Sequence, residues 1–266
     1  MKKLYTEGIP GMDYRKLKEA GADGVLMPVS DFSFGPQILY TREQAALDLK
    51  RAKDSGLEVY FKVNRFFHEG DTAEIGAFLQ DYVGCADGFY YTDPCVYELL
   101  KDLGALDKAV MEDDTMLAST YEISSVLEEG VRRVVVSPEC TGEEVLRIGA
   151  SLKNTEVLVY GPLCLSKSRR KFLSAYGMPA ELNVSDPTGE YSLTVRETPF
   201  GTAVYEKQIL DAGNWITRFS GVFDYFQIRN FTADEDALID TVRYVRKRID
   251  LEEKTLSSLG GFYSHE

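Results

Sequence analysis

The sequence predicts an α/β protein: a (β/α)8 barrel of the TIM type with a β-hairpin inserted after the seventh strand. Short runs of β-branched and aromatic residues recur eight times, near residues 4, 26, 60, 90, 110, 135, 158 and 226. Amphipathic helical segments separate most of these runs, as in a parallel sheet with crossover helices. Eight such units in about 250 residues match the size of a barrel. An open doubly wound sheet is the alternative, but no Gly-x-Gly-x-x-Gly follows an early strand.

The first half of the chain supplies five of the strands. Residues 57–64 show the period-two alternation of a strand, and Thr41 and Gly56 bracket a helix as N-cap and C-terminal glycine. Strands are predicted at residues 3–6, 22–29, 57–64, 88–91 and 109–111, and helices at 13–20, 41–55, 71–82 and 95–103, the third of these capped by Asp71.

The second half continues the alternation. Val134-Val135-Val136 is the clearest buried strand, and Leu238 and Val242 mark the inner stripe of the last helix. Strands are predicted at residues 134–136, 156–160 and 223–228, and helices at 122–129, 142–150, 211–219 and 233–249.

A stretch of about 50 residues after the seventh strand interrupts this rhythm. Residues 162–208 contain four prolines and a predicted hairpin, with strands at 191–196 and 202–208 around a turn at 198–201. We therefore predict a single barrel domain over residues 1–266 with an inserted segment at 162–208. The insertion follows the strand end where barrels carry their sites, so it is either a functional lid or a spacer.

Composition limits the chemistry. The 266 residues include 30 Lys and Arg against 43 Asp and Glu, a net charge of −13, which argues against a nucleic-acid partner. Only His68 and His265 are histidines, so a Ser/His/Asp triad would depend on His68, which we interpret as a loop residue. Four cysteines without Cys-x-x-Cys spacing indicate reduced thiols. With neither an 18-residue apolar run nor a signal peptide, we expect a cytoplasmic protein without a membrane partner.

Residues 156–174 resemble the signature of the collagenase-like peptidases, peptidase family U thirty-two. The family pattern runs Glu-x-Phe-x-x-Gly-(Ser/Ala)-aliphatic-Cys-x4-Gly-x-Cys-x-aliphatic-Ser. The positions that match are Glu156, Gly161, Leu163, Cys164, Leu173 and Ser174, and those that differ are Leu158, Pro162, Arg169 and Lys171. Residues 20–25, 59–64, 137–139 and 241–250 are also similar to family segments, so the resemblance spans nearly the whole chain.

The resemblance implies one of two activities. Some family members are described as collagenase-like proteases, and others resemble iron–sulfur hydroxylases acting on tRNA, ribosomal RNA or a quinone precursor. A cluster needs about four thiolates, but Lys171 replaces the second signature cysteine and no cysteine follows Cys164. We therefore expect no iron–sulfur cluster. The family's Ile-Glu-Gly-Arg motif falls on residues 228–231, which puts Arg229 at the acid. A one-gap shift instead puts Gln227 at the acid and Arg229 at the family's Arg. In both registers the motif lacks its carboxylate.

Side chains just past the strand ends are the site candidates, because barrels build their pockets there. The predicted catalytic residues are Glu139, Cys164, Arg229 and Asn64, and the predicted substrate-binding residues are Arg65, Asp93, Lys167, Arg169, Arg170 and Lys171.

Several of these residues have a second interpretation. Glu139 is a general base or cation ligand, or else a charge placed favourably at a helix N-terminus. Cys164 is a nucleophile activated by the nearby basic residues, or an inert packed thiol. Residues 112–114 are either paired carboxylates for Mg²⁺ or Ca²⁺ or a solvated acidic loop. The basic run 167–171 either clamps an anionic group or pairs with acidic loops.

The leading hypothesis is a peptidase of unknown substrate, in which Glu139 acts as base, Arg229 and Asn64 stabilise, and a divalent cation remains an open alternative. Because the chain lacks family ligands, a second hypothesis is a barrel that has lost catalysis and binds a small peptide, an anionic small molecule or a protein. An RNA-modifying hydroxylase is the third and least favoured.

Overall fold

The computed structural model describes residues 2–34, 38–188 and 192–251. Eleven strands are present in this part of the chain: β1 (Lys3–Glu7), β2 (Gly24–Pro28), β3 (Glu58–Val63), β4 (Gly88–Tyr91), β5 (Ala109–Glu112), β6 (Arg133–Val135), β7 (Thr155–Ser168), β8 (Glu181–Ser185), β9 (Ser192–Thr198), β10 (Gly201–Asp211) and β11 (Tyr225–Ile228).

The described residues also form eight α-helices, close to the predicted ones. They are α1 (Tyr14–Glu19), α2 (Arg42–Asp54), α3 (Thr72–Tyr82), α4 (Pro94–Asp102), α5 (Thr120–Glu128), α6 (Gly142–Ser151), α7 (Trp215–Phe219) and α8 (Glu235–Ile249). Thr41 caps α2 as predicted, in a capping box with Gln44. Asp71 does not cap α3 through its side chain, because its carboxylate binds the His68 N–H and Arg65.

Eight parallel strands close into a barrel, as predicted. Strands β1 to β7 pair in chain order, and β11 pairs with both β7 and β1 in parallel register, with Phe226 opposite Val157 and Leu4. This double pairing excludes the open doubly wound sheet, whose edge strands stay apart. β11 is therefore the eighth barrel strand. The extent of the domain beyond residue 251 stays a prediction, since residues 252–266, His265 included, lie outside the described residues.

The insertion extends the barrel sheet. β7 continues past the barrel to Ser168, and β10, β9 and β8 follow it in antiparallel order. The predicted hairpin is β9 and β10, with its turn at Pro199-Phe200; Tyr191 lies outside the described residues. β8 was not predicted, and residues 211–214 do not belong to the helix predicted at 211–219, because β10 runs to Asp211 and α7 begins at Trp215.

The barrel strands bury both faces, but the two faces differ in chemistry. In β3, Val59, Phe61 and Val63 pack in the large apolar cluster shared with the helices, whereas Tyr60 and Lys62 belong to the other face and are also buried. TIM barrels usually fill their interior with branched apolar side chains. Here buried charged and tyrosine side chains occupy it, and these charges supply the candidate site.

No helix in residues 2–34, 38–188 and 192–251 is both long and apolar enough to cross a membrane. All four cysteines are free thiols, with Cys85 exposed and Cys140 and Cys164 buried.

Candidate functional site

A cluster of buried charges lies where the barrel strands end at the mouth. Glu112 is the last residue of β5. Its Oε2 lies 2.8 Å from Nζ of Lys62 on β3, so the two side chains form an ion pair. Lys62 also binds Oε1 of Glu7, the last residue of β1, at 2.7 Å. Each of these three side chains is at most 4% exposed, so a single lysine connects two carboxylates that water scarcely reaches. Buried charges of this kind persist only when they are paired.

Two residues at the end of β11 bind the other oxygen of Glu112. Gln227 Nε2 donates to Glu112 Oε1 at 2.9 Å, and Arg229 Nη2 donates to the same oxygen at 3.1 Å. Arg229 Nη2 also lies 2.5 Å from Asp114 Oδ1. The sequence left open whether Gln227 or Arg229 aligns with the missing family acid. Both side chains reach the cluster. The carboxylates that they bind are those of Glu112, at the end of β5, and Asp114, two residues further along the chain.

The insertion contributes the last charge. Lys167, in the part of β7 beyond the barrel, lies 2.8 Å from Asp114 Oδ2, so Asp114 holds a cation on each oxygen. We call the seven residues the mouth cluster: Glu7, Lys62, Glu112, Asp114, Lys167, Gln227 and Arg229. Its three acids balance its three cations, and the cluster is therefore close to neutral as a whole.

Charge pairing fixes the protonation states. Burial alone would raise the pKa of Glu112, but the charges of Lys62 and Arg229 outweigh it and lower that pKa to about 2. The pKa of Asp114 is lowered in the same way, against its burial, by Arg229 and Lys167. Burial would lower the pKa of Lys167, yet the charge of Asp114 keeps it above its ordinary value. At neutral pH these groups stay ionised, so they are poor general acids or bases but can act as fixed charges.

A cavity of about 210 Å³ opens beside the cluster. Its walls are Phe66, residues 113–115 after β5, and residues 164–167 of β7. Asp114 and Lys167 belong both to the wall and to the mouth cluster, so the buried ion pair faces the cavity directly. Pockets for drug-sized ligands measure about 300–1,000 Å³, so this cavity suits a smaller molecule or the end of a longer one.

Cys164 lines this cavity, but its surroundings keep its thiol protonated. The side chain is 4% exposed and packs with Phe34, Ala203 and Tyr205. Burial raises its pKa to about 11, and the nearby Lys167 offsets this only in part. A thiolate is the reactive form of cysteine, so this environment favours the inert, packed thiol among the two interpretations.

Three predicted site residues support the surrounding loops. Asn64 Oδ1 accepts from the Phe34 N–H at 3.1 Å. Arg65 is buried, donates to the Asp31 carbonyl at 2.6 Å and pairs with Asp71 at 3.0 Å. Asp93 caps α4 and accepts from the Phe67 N–H at 2.9 Å. These contacts hold the backbone of neighbouring loops in place, which fits a positioning role.

The basic run separates into residues with different surroundings. Lys167 is in the mouth cluster, whereas Arg169 is exposed and donates to the Phe67 carbonyl at 3.1 Å, with His68 Nδ1 at 3.4 Å. Arg170 and Lys171 are exposed. The run therefore does not converge on one anion. Its first member, Lys167, pairs with Asp114 beside the cavity.

Glu139 lies after β6 with an exposed side chain, just before α6. Its backbone N–H donates to Ser137 Oγ. Residues 112–114 are not a solvated acidic loop as a whole, because Glu112 and Asp114 are buried. Asp113 between them is half-buried, and its Oδ1 accepts from Thr115 and Met116.

Glu7 and Lys62 are cluster residues that the sequence analysis missed. The burial of Lys62 could have been predicted, because it lies on the polar face of a strand that a parallel barrel buries on both faces. A second buried ion pair was also missed. Arg133 of β6 lies 2.6 Å from Glu156 of β7, and the rings of Tyr5, Tyr60 and Tyr225 surround its guanidinium at 4.4–5.2 Å.

The expectation that the protein holds no iron–sulfur cluster stays a prediction. Within residues 2–34, 38–188 and 192–251, no three His, Cys, Asp or Glu side chains are grouped so that they could hold a metal ion. The carboxylates of Glu112 and Asp114 are engaged by protein cations instead. An iron–sulfur cluster needs about four thiolates. The side chains packed around Cys164 are instead aromatic and aliphatic.

Comparison with protein families decides the relationship that the signature suggested. The model of peptidase family U32 matches residues 13–255. The chain belongs to peptidase family U32. A solved structure described as the U32 peptidase Mk0906 covers 86% of this chain and 93% of its own, with a TM-score of 0.54 at 17% sequence identity. This U32 structure supports the fold.

Two curated relatives carry different names. An uncharacterized protease of Methanocaldococcus jannaschii, MJ0090, is 27% identical over 91% of this chain and 64% of its own length. The tRNA hydroxylation protein P2 of Bacillus subtilis is 23% identical over 62% of this chain and 54% of its own. The chain thus spans between half and two thirds of the length of these relatives.

Proposed function

We propose that this U32 protein is a binding barrel that holds a small ligand, foremost a short peptide, in the cavity at its mouth. The observation that carries the proposal is the ion pair of Asp114 and Lys167 in the cavity wall, with Arg229 behind it on the other oxygen of Asp114. A fixed ion pair beside a small cavity orients a polar ligand without first having to reorganise.

The chemistry of the cavity supports binding better than catalysis. Asp114 and Lys167 are held as ions, and the Cys164 thiol has a pKa of about 11. Catalytic acids and bases work best with a pKa near the operating pH. Fixed charges, by contrast, are what recognition of a peptide end or an anionic group requires.

The test is ligand-induced stabilisation. A mixture of di- and tripeptides should raise the Tm of the protein, because a ligand that binds only the folded state stabilises it. Leu165 is exposed and lines the cavity, so Leu165→Trp should fill the cavity and abolish the rise. Leu47→Trp on α2, where Leu47 is also exposed, is the matched control and should retain it. No rise in the unmodified protein, or an equal rise in Leu165→Trp, contradicts the proposal.

Peptide hydrolysis is the second candidate, and it rests on family membership and on the relative named as an uncharacterized protease. It would place substrate at the barrel mouth, with Glu139 as base and Arg229 as stabiliser, two residues that are not among those lining the described cavity. The test incubates the protein with a peptide library, with and without Mg²⁺, Ca²⁺ or Zn²⁺, and analyses products by mass spectrometry. New peptide termini that disappear in Glu139→Gln support hydrolysis, and intact peptides under all conditions exclude it.

The relative named for tRNA hydroxylation keeps RNA modification as a further alternative. Its test is anaerobic purification followed by iron analysis. Bound iron at cluster stoichiometry that is lost in Cys164→Ser would support it, whereas an iron-free protein would oppose it.

A further inference from the structure

The mouth cavity has charges of both signs in its wall. Lys167 contributes a cation, and Asp113 contributes a carboxylate from the neighbouring loop. We propose that the ligand of this cavity is a zwitterion, a free α-amino acid with an apolar side chain. This inference rests on the proposed binding function and names its ligand class.

The cation is built into the site. Lys167 is buried apart from 11% of its side chain, and Asp114 holds it at 2.8 Å. An ammonium group carries three N–H donors, and Asp114 takes one of them in the described part of the chain. Among the residues that the structure describes, this leaves two donors for a ligand carboxylate. Arg229 neutralises the other oxygen of Asp114, so this acid does not cancel the field that Lys167 presents.

The anion is Asp113, whose Oδ1 is committed to a turn. Oδ1 accepts from the Thr115 N–H at 2.9 Å, from the Thr115 hydroxyl at 3.0 Å and from the Met116 N–H at 3.1 Å. These bonds fix the carboxylate in place. Among the residues that the structure describes, no hydrogen bond engages Oδ2, which leaves it for a ligand ammonium group.

The size and polarity of the cavity suit a small ligand with a charge at each end. The volume of about 210 Å³ is below the range of about 300–1,000 Å³ that drug-sized ligands fill. Phe66 and Leu165 supply apolar wall, which suits an aliphatic side chain, and the mouth cluster is balanced in charge. A neutral zwitterion pairs both its ends without adding a net charge beside that balanced cluster.

The test is isothermal titration with L-leucine and two analogues. N-acetylleucine lacks the ammonium group and leucinamide lacks the carboxylate, so each should bind at least about tenfold more weakly than leucine, the loss of one charge-assisted pair. Asp113→Asn keeps the Oδ1 acceptor and hence the turn, and should weaken leucine binding by a similar factor while leaving N-acetylleucine unaffected. Asp81→Asn, at an exposed position on α3, is the matched control.

The outcomes separate this inference from the proposed function. Leucine binding that both analogues weaken, and that Leu165→Trp abolishes, supports the zwitterion. Equal affinity for leucine and leucinamide overturns it, because Lys167 would then not recognise the carboxylate. Stabilisation by the di- and tripeptide mixture without leucine binding also overturns it, but leaves the binding barrel intact. No response to either ligand overturns both.

Discussion

Lys167 of the insertion and Asp114 of the β5–α5 loop form an ion pair of 2.8 Å that joins the inserted sheet to the barrel mouth. Arg229 at the end of the last barrel strand holds the other oxygen of Asp114. Three distant parts of the chain therefore meet at one carboxylate. The same carboxylate lines the cavity, so the stability of the mouth and the shape of the binding site both depend on Asp114.

Lys167→Met should lower the free energy of unfolding by about 3–5 kcal/mol, because it leaves a buried carboxylate with one cation fewer. Urea unfolding followed by circular dichroism measures this. Lys171→Met removes an exposed cation from the same run and should change the value by about 0.5 kcal/mol or less. If both variants lose the same small amount, Lys167 is not held in a buried pair.

Stability should fall in acid through Glu112. Its pKa is lowered from 4.5 to about 2 by Lys62 and Arg229 against burial, so its contribution is complete above about pH 4.5 and is lost as pH falls toward 2. The contribution is on the order of 3 kcal/mol.

The check is the free energy of unfolding measured between pH 7 and pH 2.5. Glu112→Gln should lower stability at pH 7 and flatten the fall below pH 4.5. Glu139→Gln, at an exposed position, should leave the curve unchanged. A Glu112→Gln curve parallel to that of the unmodified protein would show that Glu112 is not ion-paired.

Cys164 should be alkylated slowly in the folded protein. Burial raises its pKa to about 11, so little thiolate exists at pH 8, and its side chain is 4% exposed. Iodoacetamide labelling followed by peptide mass spectrometry compares it with Cys85, which is exposed. We expect Cys85 to react at least about tenfold faster. If Cys164 reacts before Cys85, the interpretation of Cys164 as an activated nucleophile holds, and peptide hydrolysis is favoured.

The turn of the β9–β10 hairpin should depend on Phe200. Its ring lies 4.0 Å from the guanidinium carbon of Arg65, which also faces Phe67 at 4.5 Å. Phe200→Ala removes a cation–π contact worth about 0.5–2 kcal/mol and should increase proteolytic cleavage within residues 199–211. Phe172→Ala, at an exposed ring of the insertion, is the control. Equal cleavage in both variants would mean that Arg65 does not anchor the hairpin.

The barrel was predictable because its signals are local. Apolar periodicity and caps such as Thr41 place most helices within a few residues, and the eight strand runs fix the fold class. The insertion was less predictable. Its strand β8 is short, with exposed Val184. The sequence predicted that the seventh strand ends at residue 160, before Gly161 and Pro162, but β7 runs on to Ser168 because β10 pairs with it there.

The candidate site was harder to predict because pairing between distant strands determines it. Local sequence makes Glu112 and Asp114 look like a solvated acidic loop, and only the approach of Lys62, Arg229 and Lys167 allows their burial. The position of Gly161 is likewise determined by a contact between distant strands. Its positive φ and its contact with the Arg229 backbone leave no room for a Cβ, which the strand pattern could not reveal.

The most direct test of the binding barrel is an NMR titration of the ¹⁵N-labelled protein with the di- and tripeptide mixture. We predict that the largest amide shifts fall at residues 113–115 and 164–167, and that Leu165→Trp removes them while Leu47→Trp does not. Absence of shifts, or shifts that cluster away from the mouth in both variants, would contradict the account.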